Sequence, residues 1–163
     1  MNEKVVLITG STRGIGKETA LALAALGATT VIVGRDPTRT AETADEIRRQ
    51  TGSQRVDFFT ADLSLLSETR HLAMDFLRRY DRLHVLINNA GAVFVRREET
   101  REGLEKTLAL NHLSPFLLTH QFLDVLQASA PARIINVSSN AHHMARMRFD
   151  DLQFQRGYRG WIA

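Results

Sequence analysis

The sequence predicts an α/β fold, a doubly wound parallel sheet, on three observations. Short runs rich in Val, Ile, Leu and Phe recur near residues 4–9, 30–34, 55–60, 83–88 and 132–138, as expected of strands buried on both faces. Helical patterns lie between them, and strand–helix alternation argues for parallel strands joined by crossovers. A glycine-rich turn, Thr9-Gly10-Ser11-Thr12-Arg13-Gly14-Ile15-Gly16, directly follows the first run Val5-Val6-Leu7-Ile8.

Taken in order, that first unit is a strand, a turn and a helix start. Such a turn binds phosphate because a helix N-terminus offers unpaired N–H groups and a positive dipole end. Gly10 serves a tight turn, Gly14 lets backbone approach a ligand, and Gly16 lets the helix pack on the strand. Three residues and then one separate the glycines, so the pattern is not G-x-G-x-x-G, and a purely structural turn is the alternative. The first helix shows Ile15, Thr19, Leu23 and Leu26 at a 3.6 period and stops at Gly27. The second strand, Thr30–Val33, runs into Gly34, Arg35 and Asp36. After the third strand comes Asp62-Leu63, then a helix marked by Leu65, Thr69, Leu72, Phe76 and Tyr80, with Ser64 as its expected N-cap. The fourth strand ends in Asn88-Asn89-Ala90-Gly91.

Segment 104–127 is apolar around nearly the whole helix circumference, which predicts one helix buried on more than one side. A contact between subunits would cover it, and so would a further part of the fold. Pro115 lies four residues after Asn111 and has no N–H, so the Asn111 carbonyl loses its usual donor and the helix should kink. The alternative is that Pro115 starts a second helical segment.

Composition sets bounds. A chain of 163 residues reads as one domain, able to bury roughly 70% of its extended-chain surface. With 44% apolar and 24% charged residues it has ordinary globular composition. It has no Cys, so disulfides, Cys-ligated metal and thiol chemistry are excluded. No apolar stretch approaches a membrane span, and a strand starting near residue 4 leaves no room for a signal peptide, so the expected location is cytoplasmic. The 18 Arg and 3 Lys are interleaved with acids to a net charge of only +3, which predicts a solvated surface and no nucleic-acid partner. His142 and His143 are adjacent with no third ligand in sight, so they read as a loop and no metal is expected. Arg96, Arg97 and Arg101 read as a solvated charged turn.

In this order the motifs resemble the short-chain dehydrogenase/reductase family. Thr9–Gly16 is similar to its T-G-x-x-x-G-I-G turn, Asp62-Leu63 to its adenine contact, and Asn88-Asn89-Ala90-Gly91 to its N-N-A-G. Ile134-Ile135-Asn136-Val137-Ser138-Ser139 resembles its fifth strand and catalytic serine, and Asn111 falls in the long helix. The matches run across all 163 residues. Asn136–His143 and Asp150-Asp151-Leu152-Gln153 look like the branch of retinol-dehydrogenase-like and WW-domain-oxidoreductase-like enzymes.

The resemblance implies a Rossmann-type fold whose first five strands are present, and an NADP(H)-dependent oxidoreductase that interconverts an alcohol and a carbonyl on a lipophilic small molecule. Gly10, Ser11, Thr12, Arg13, Gly14, Ile15 and Gly16 would hold the cofactor at the turn. Asp62 and Leu63 would meet the adenine, Asn88 would help hold the strand end and the cofactor's ribose, and Ala90 and Gly91 would leave space beside the cofactor. The family's NAD-type carboxylate position falls on Gly34; Arg35 and Arg13 would instead grip a 2′-phosphate, which favours NADP(H) over NAD(H). The alternative has Asp36 on the ribose and Arg35 in solvent. Ser139 would hydrogen-bond the substrate oxygen, and Asn111 would hold a water in a proton relay. The family's acid/base, a Tyr with a Lys four residues on, is not found: Tyr80 is followed by His84 and Tyr158 by Ile162. By similarity, Arg156–Ala163 leads directly into that Tyr, which would fall at the next position. A non-catalytic dinucleotide-binding module is the second reading, and a homo-oligomer through 104–127 is expected.

Overall fold

A computed structural model of the chain describes residues 1–144 and 146–158. Five parallel strands form one sheet in the order β3-β2-β1-β4-β5, with β1 at Val5–Thr9, β2 at Thr29–Gly34, β3 at Val56–Thr60, β4 at Val85–Asn88 and β5 at Arg133–Asn136. Each starts and stops within two residues of its predicted run. The period of two divides the strand side chains between two cores. Val6, Ile8, Ile32, Val56 and Ile87 pack against α1 (Gly14–Ala25) and α2 (Pro37–Thr51) through Ala20, Ala24, Ala44 and Ile47. Leu7, Val31, Val33 and Leu86 pack on the opposite face against Leu72, Ala73 and Phe76 of α3 (Leu66–Arg79) and against Leu118, Phe122 and Leu126. Helices on both faces make the sheet doubly wound, and β5 is an edge strand with all four residues exposed.

Two expectations are corrected. Segment 104–127 is not one regular helix: α4 (Lys106–Leu108) passes through a π-turn at Ala109–Leu113 into α5 (Ser114–Gln121), followed by α6 (Leu123–Ala128). Its cause is the missing N–H of Pro115. The turn widens so that Ser114 N–H reaches back to the Ala109 carbonyl, and Pro115 stands in the first turn of α5, so the kink and the second segment occur together, with the backbone helical throughout. Leu118, Phe122 and Leu126 form the inward stripe, whereas Phe116 is 64% exposed. Nor does Ser64 cap α3. The N-cap is Leu65, and the Ser64 hydroxyl donates to Asp62 Oδ1 at 2.7 Å.

The chain steps outward from central β1 through β2 and β3, then returns to β4 on the other side of β1. That reversal leaves a crevice beyond the carboxyl ends of β1 and β4, the place where open α/β sheets bind ligands. Both motif turns, after Thr9 and after Asn88, open there.

Candidate functional site

The floor of the crevice is a clamp between these two turns. The Thr9 hydroxyl accepts the backbone N–H groups of Asn89 and Ala90, each at 3.0 Å. The Asn89 amide donates back to the carbonyls of Thr9 (2.8 Å) and Gly10 (3.1 Å). Gly10 has φ +65°, and a Cβ on it would meet Ala90 Cα at 2.7 Å. A Cβ on Gly16 would strike the Asn89 amide, which is why the helix can start so close to the strand. Gly14 is different: its φ is +54°, yet nothing lies within 4 Å of where a Cβ would stand. It faces open space, as a backbone approached by a ligand must.

Neighbouring helix starts are closed by carboxylates. Asp36 accepts the Arg39 N–H at 2.8 Å at the start of α2, Glu105 accepts the N–H groups of Thr107 and Leu108 at α4, and Glu102 those of Leu66 and Ser67 at α3. Among the described residues no side chain caps α1. Its first N–H groups, with the positive end of the helix dipole, could hold a phosphate. Ser11 is fully buried, and its hydroxyl is engaged by the Ile8 carbonyl and the Val33 N–H, so its side chain holds the turn and does not face a ligand. Thr12 packs over Gly34. Ile15 is 70% exposed at the helix start.

At the end of β2 the carboxylate question has a steric answer. A Cβ on Gly34 would run into Thr12 and Thr40, so an Asp at this position has no room. Asp36 caps α2 through Oδ1. Arg13 and Arg35 are exposed and form no ion pair with any described residue. They lie beyond the ends of adjacent parallel strands, and could together receive a 2′-phosphate.

Asp62 is half-buried after β3, with Oδ1 accepting from Ser64 N–H and hydroxyl. Leu63 is 5% exposed, its side chain in the core, so only its backbone could meet an adenine. Asn88 is buried, and its amide donates to Asn136 Oδ1 (2.8 Å) and Thr119 Oγ1 (3.3 Å). It ties β4 to β5 and α5, with no exposed side chain for a ribose. Asn89 is the residue that sequence reasoning undervalued. Strand alternation could have found it: Ile87 faces the α1 core, so Asn89 falls on the same side, beside Gly16.

Asn111 sits in the π-turn and is exposed; it grips Ala92 from both ends of its amide, accepting Ala92 N–H at 3.0 Å and donating to Ala92 O at 2.9 Å. A Cβ on Gly91 would stand 3.4 Å from Asn111 Oδ1, an ordinary contact, so Gly91 lies beside Asn111. Ser139 follows β5; its hydroxyl accepts the Ala141 N–H at 3.2 Å, and His142 Nδ1 lies 2.7 Å from its carbonyl. His142 and His143 stack with ring centroids 3.9 Å apart, and no three metal-binding side chains cluster among the described residues. A cavity of about 450 Å³ borders Asn111 and is lined largely by Leu108, Leu113, Met147, Phe149 and Phe154. Neither tyrosine hydroxyl is free. Tyr80 donates to Asp57 at 2.7 Å, where burial first and then the Asp57 bond push its pKa up. Tyr158 donates to the Phe94 carbonyl at 2.8 Å and lies 2.9 Å from Thr107 Oγ1. Of the stretch Arg156–Ala163, residues 159–163 lie outside the described residues. Of the arginines read as a solvated turn, Arg96 is exposed, Arg101 is 68% exposed while paired with Glu68, and only Arg97 is half-buried, bound to the Gln153 carbonyl and Glu99.

The family model described as short chain dehydrogenase matches residues 4–150. The chain belongs to the short chain dehydrogenase family. Human retinol dehydrogenase 11 is 45% identical to it over 160 residues, covering 98% of this chain and 50% of that protein. RhlG of Pseudomonas aeruginosa, solved as an active-site complex with NADP, is 35% identical with a TM-score of 0.76 over 86% of this chain and 56% of that one. A metagenomic short-chain oxidoreductase in complex with NADP is 30% identical with a TM-score of 0.75, over 85% of this chain and 63% of that one. The chain spans about half the length of the curated relatives it matches. Its five-stranded parallel sheet and both crevice turns lie within the matched residues. No helix among its described residues is long and apolar enough to cross a membrane.

Proposed function

We propose that the protein is an NADP(H)-dependent oxidoreductase that interconverts an alcohol and a carbonyl by hydride transfer on a lipophilic small molecule. The observation that carries the cofactor choice is at the end of β2: no room for a carboxylate at Gly34, Asp36 engaged as a cap, and Arg13 and Arg35 without an ion-pair partner among the described residues. The residues fit such a cofactor. The bare start of α1 and the open side of Gly14 would take its diphosphate, Asp62 its adenine end, and Ala90 and Gly91 would border its nicotinamide end. When bound, the nicotinamide supplies or accepts the hydride. Ser139 would hydrogen-bond the substrate oxygen, and the carbonyl freed by Pro115 at Asn111 would hold a relay water. The NADP complexes of RhlG and of the metagenomic oxidoreductase support the cofactor, and retinol dehydrogenase 11 supports a lipophilic substrate, as does the apolar cavity beside Asn111. Residues 1–163 act in this reading as one nucleotide-binding domain.

Titration of the 163-residue chain with NADPH and NADH tests it. Tight NADPH binding with weaker NADH binding is expected, and equal affinities would refute the cofactor choice. A second reading, a dinucleotide-binding module without turnover, draws on the engaged hydroxyls of Tyr80 and Tyr158 and the absence of any Tyr-x-x-x-Lys. Both readings expect this chain to bind NADPH without oxidising it in the presence of aldehydes or ketones. A longer natural product with turnover decides for the enzyme. We also propose that copies associate through the outward face of α5–α6, where Phe116 and Leu123 are exposed. A cytoplasmic enzyme is part of this reading, and recovery with the membranes of lysed cells would overturn that part.

A further inference from the structure

Sequence-distant charges converge on the start of α3. Glu68 lies in its first turn and reaches backward: Oε2 accepts the Asp62 N–H at 2.7 Å, and Oε1 accepts Arg101 Nη2 at 2.9 Å. The residue after that arginine, Glu102, accepts the N–H groups of Leu66 (2.6 Å) and Ser67 (2.9 Å), the first two of α3. Hydrogen bonds from the Ser67 side chain and backbone, opposed by some burial and joined by Leu66, hold the Glu102 carboxyl below its usual range. Arg101 and Glu102 are presented by a closed turn: Thr100 N–H bonds Leu104 O at 2.8 Å, Gly103 N–H bonds Thr100 O at 2.9 Å, and Lys106 N–H bonds Glu98 O at 3.0 Å. That turn leads straight into α4 and the π-turn holding Asn111. Asp62 is thus fixed twice, by Glu68 at its N–H and by Ser64 at Oδ1, while its Oδ2 has no partner among the described residues.

We propose that Glu68, Arg101 and Glu102 form a clasp that positions Asp62 for the adenine end of a nucleotide, so that the turn of residues 98–105 sets affinity there. The inference rests on the dinucleotide reading of the crevice. The Arg101–Glu68 ion pair itself is worth little in water, its arginine being 68% exposed, while Glu102 stabilises α3 as its cap. What the three groups add beyond capping is orientation: Glu68 joins the Asp62 N–H to Arg101 and so ties Asp62 to the turn. Glu68, Arg101 and Glu102 are positioning residues: they act through Asp62 and touch no ligand.

Calorimetric titration of the full chain with 2′,5′-ADP and with 5′-AMP separates the clasp from the arginine pair. Glu68→Ala and Arg101→Ala are expected to weaken both ligands by about three- to tenfold and leave their ratio unchanged. Glu68→Gln keeps an acceptor for the Asp62 N–H but turns an amide N–H toward Arg101, so it should lose affinity as Arg101→Ala does and no more than Glu68→Ala. In an Asp62→Ala background, Glu68→Ala should add nothing. The proposal is overturned if Glu68→Ala costs as much affinity without Asp62 as with it, or if Arg101→Ala binds both ligands as the parent does. A parent chain that binds neither ligand overturns the crevice reading, and the clasp falls with it. Loss of the ratio on Arg35→Ala alone, with the clasp variants behaving as stated, supports both independently.

Discussion

Alanine at Gly10 and at Gly14 should fail in opposite ways, although the two glycines share one turn and one backbone region. At Gly10 the new methyl has φ +65° and would stand 2.7 Å from Ala90 Cα, a backbone atom that the Thr9–Asn89 clamp holds in place. The left-handed conformation costs roughly 1–2 kcal/mol and forced overpacking about 1–3 kcal/mol. Against a domain stability of about 5–15 kcal/mol, that is a large share, and it should lower Tm by roughly 5–15 °C. At Gly14 the φ is +54° but nothing lies within 4 Å, so only the conformational cost remains, about 1 kcal/mol or a few degrees. The Gly14 methyl instead projects into open space, where the proposed cofactor's diphosphate would lie. Thermal unfolding and NADPH titration of both variants check this. Gly10→Ala should be the unstable one. Gly14→Ala should melt near the parent yet lose at least about tenfold in affinity, the scale of one charge-assisted bond. Equal Tm losses, or a Gly14→Ala chain with parental affinity, would refute the geometry.

Other outcomes follow from single residues. Arg35→Ala should weaken NADP(H) by about ten- to a hundredfold, or roughly 1.5–3 kcal/mol, with little change in NAD(H) affinity or in Tm, because its guanidinium has no partner among the described residues; equal loss for both cofactors by titration would sink the selectivity argument. His84 Nδ1 accepts the Val5 N–H at 3.0 Å, and burial first, then Lys4 and Arg82, lower its pKa from 6.5. The unfolded chain then binds the extra proton more readily, so this contribution is complete above pH 6.5 and is lost as pH falls through the lower folded value. Urea midpoints should therefore drop between neutral and mildly acidic pH, and His84→Asn, which keeps an acceptor near Nδ1 without titrating, should flatten that drop; an unchanged slope would contradict it. Phe116→Glu should give monomers in light scattering if copies associate through α5–α6, and a parent already monomeric at high concentration would dispose of that contact.

What the sequence could disclose was local. The five strands were legible because both faces of each are buried, which leaves uninterrupted Val, Ile and Leu runs at Val5–Thr9 and Thr29–Gly34. The distortion at Asn111 was legible because its cause, Pro115, lies one turn away. Ser64 looks like a cap by spacing alone, but Asp62 two residues earlier competes for its hydroxyl. Glu102, distant in sequence, takes the N–H groups of Leu66 and Ser67 that a Ser64 cap would have served. No local pattern reports that choice. Arg97 looks solvated for the same reason: its partner, the Gln153 carbonyl, is distant in sequence. The pleat divides Asn88 from Asn89: Asn88 holds the strand end to α5 and β5, as expected, while Asn89 faces the glycine turn, which the motif alone does not report.

The position of the site is also written as an omission. Three other helix starts are closed by carboxylates: Asp36 and Glu105 each from the N-cap position, Glu102 across the fold. At α1, the most central helix start and the one beside the topological switch, Arg13 occupies the cap and bonds nothing there with its side chain. A carboxylate there would satisfy the N–H groups and add stability, typically about 1 kcal/mol. It would also repel any phosphate. A cationic residue at that cap leaves the donors open and adds a positive charge beside them, which is unfavourable for the helix dipole unless an anion arrives. The stability forgone at Arg13 and the rigidity built into the Thr9–Asn89 clamp point the same way: the crevice is held in shape before its ligand is present, so that binding orders few protein groups.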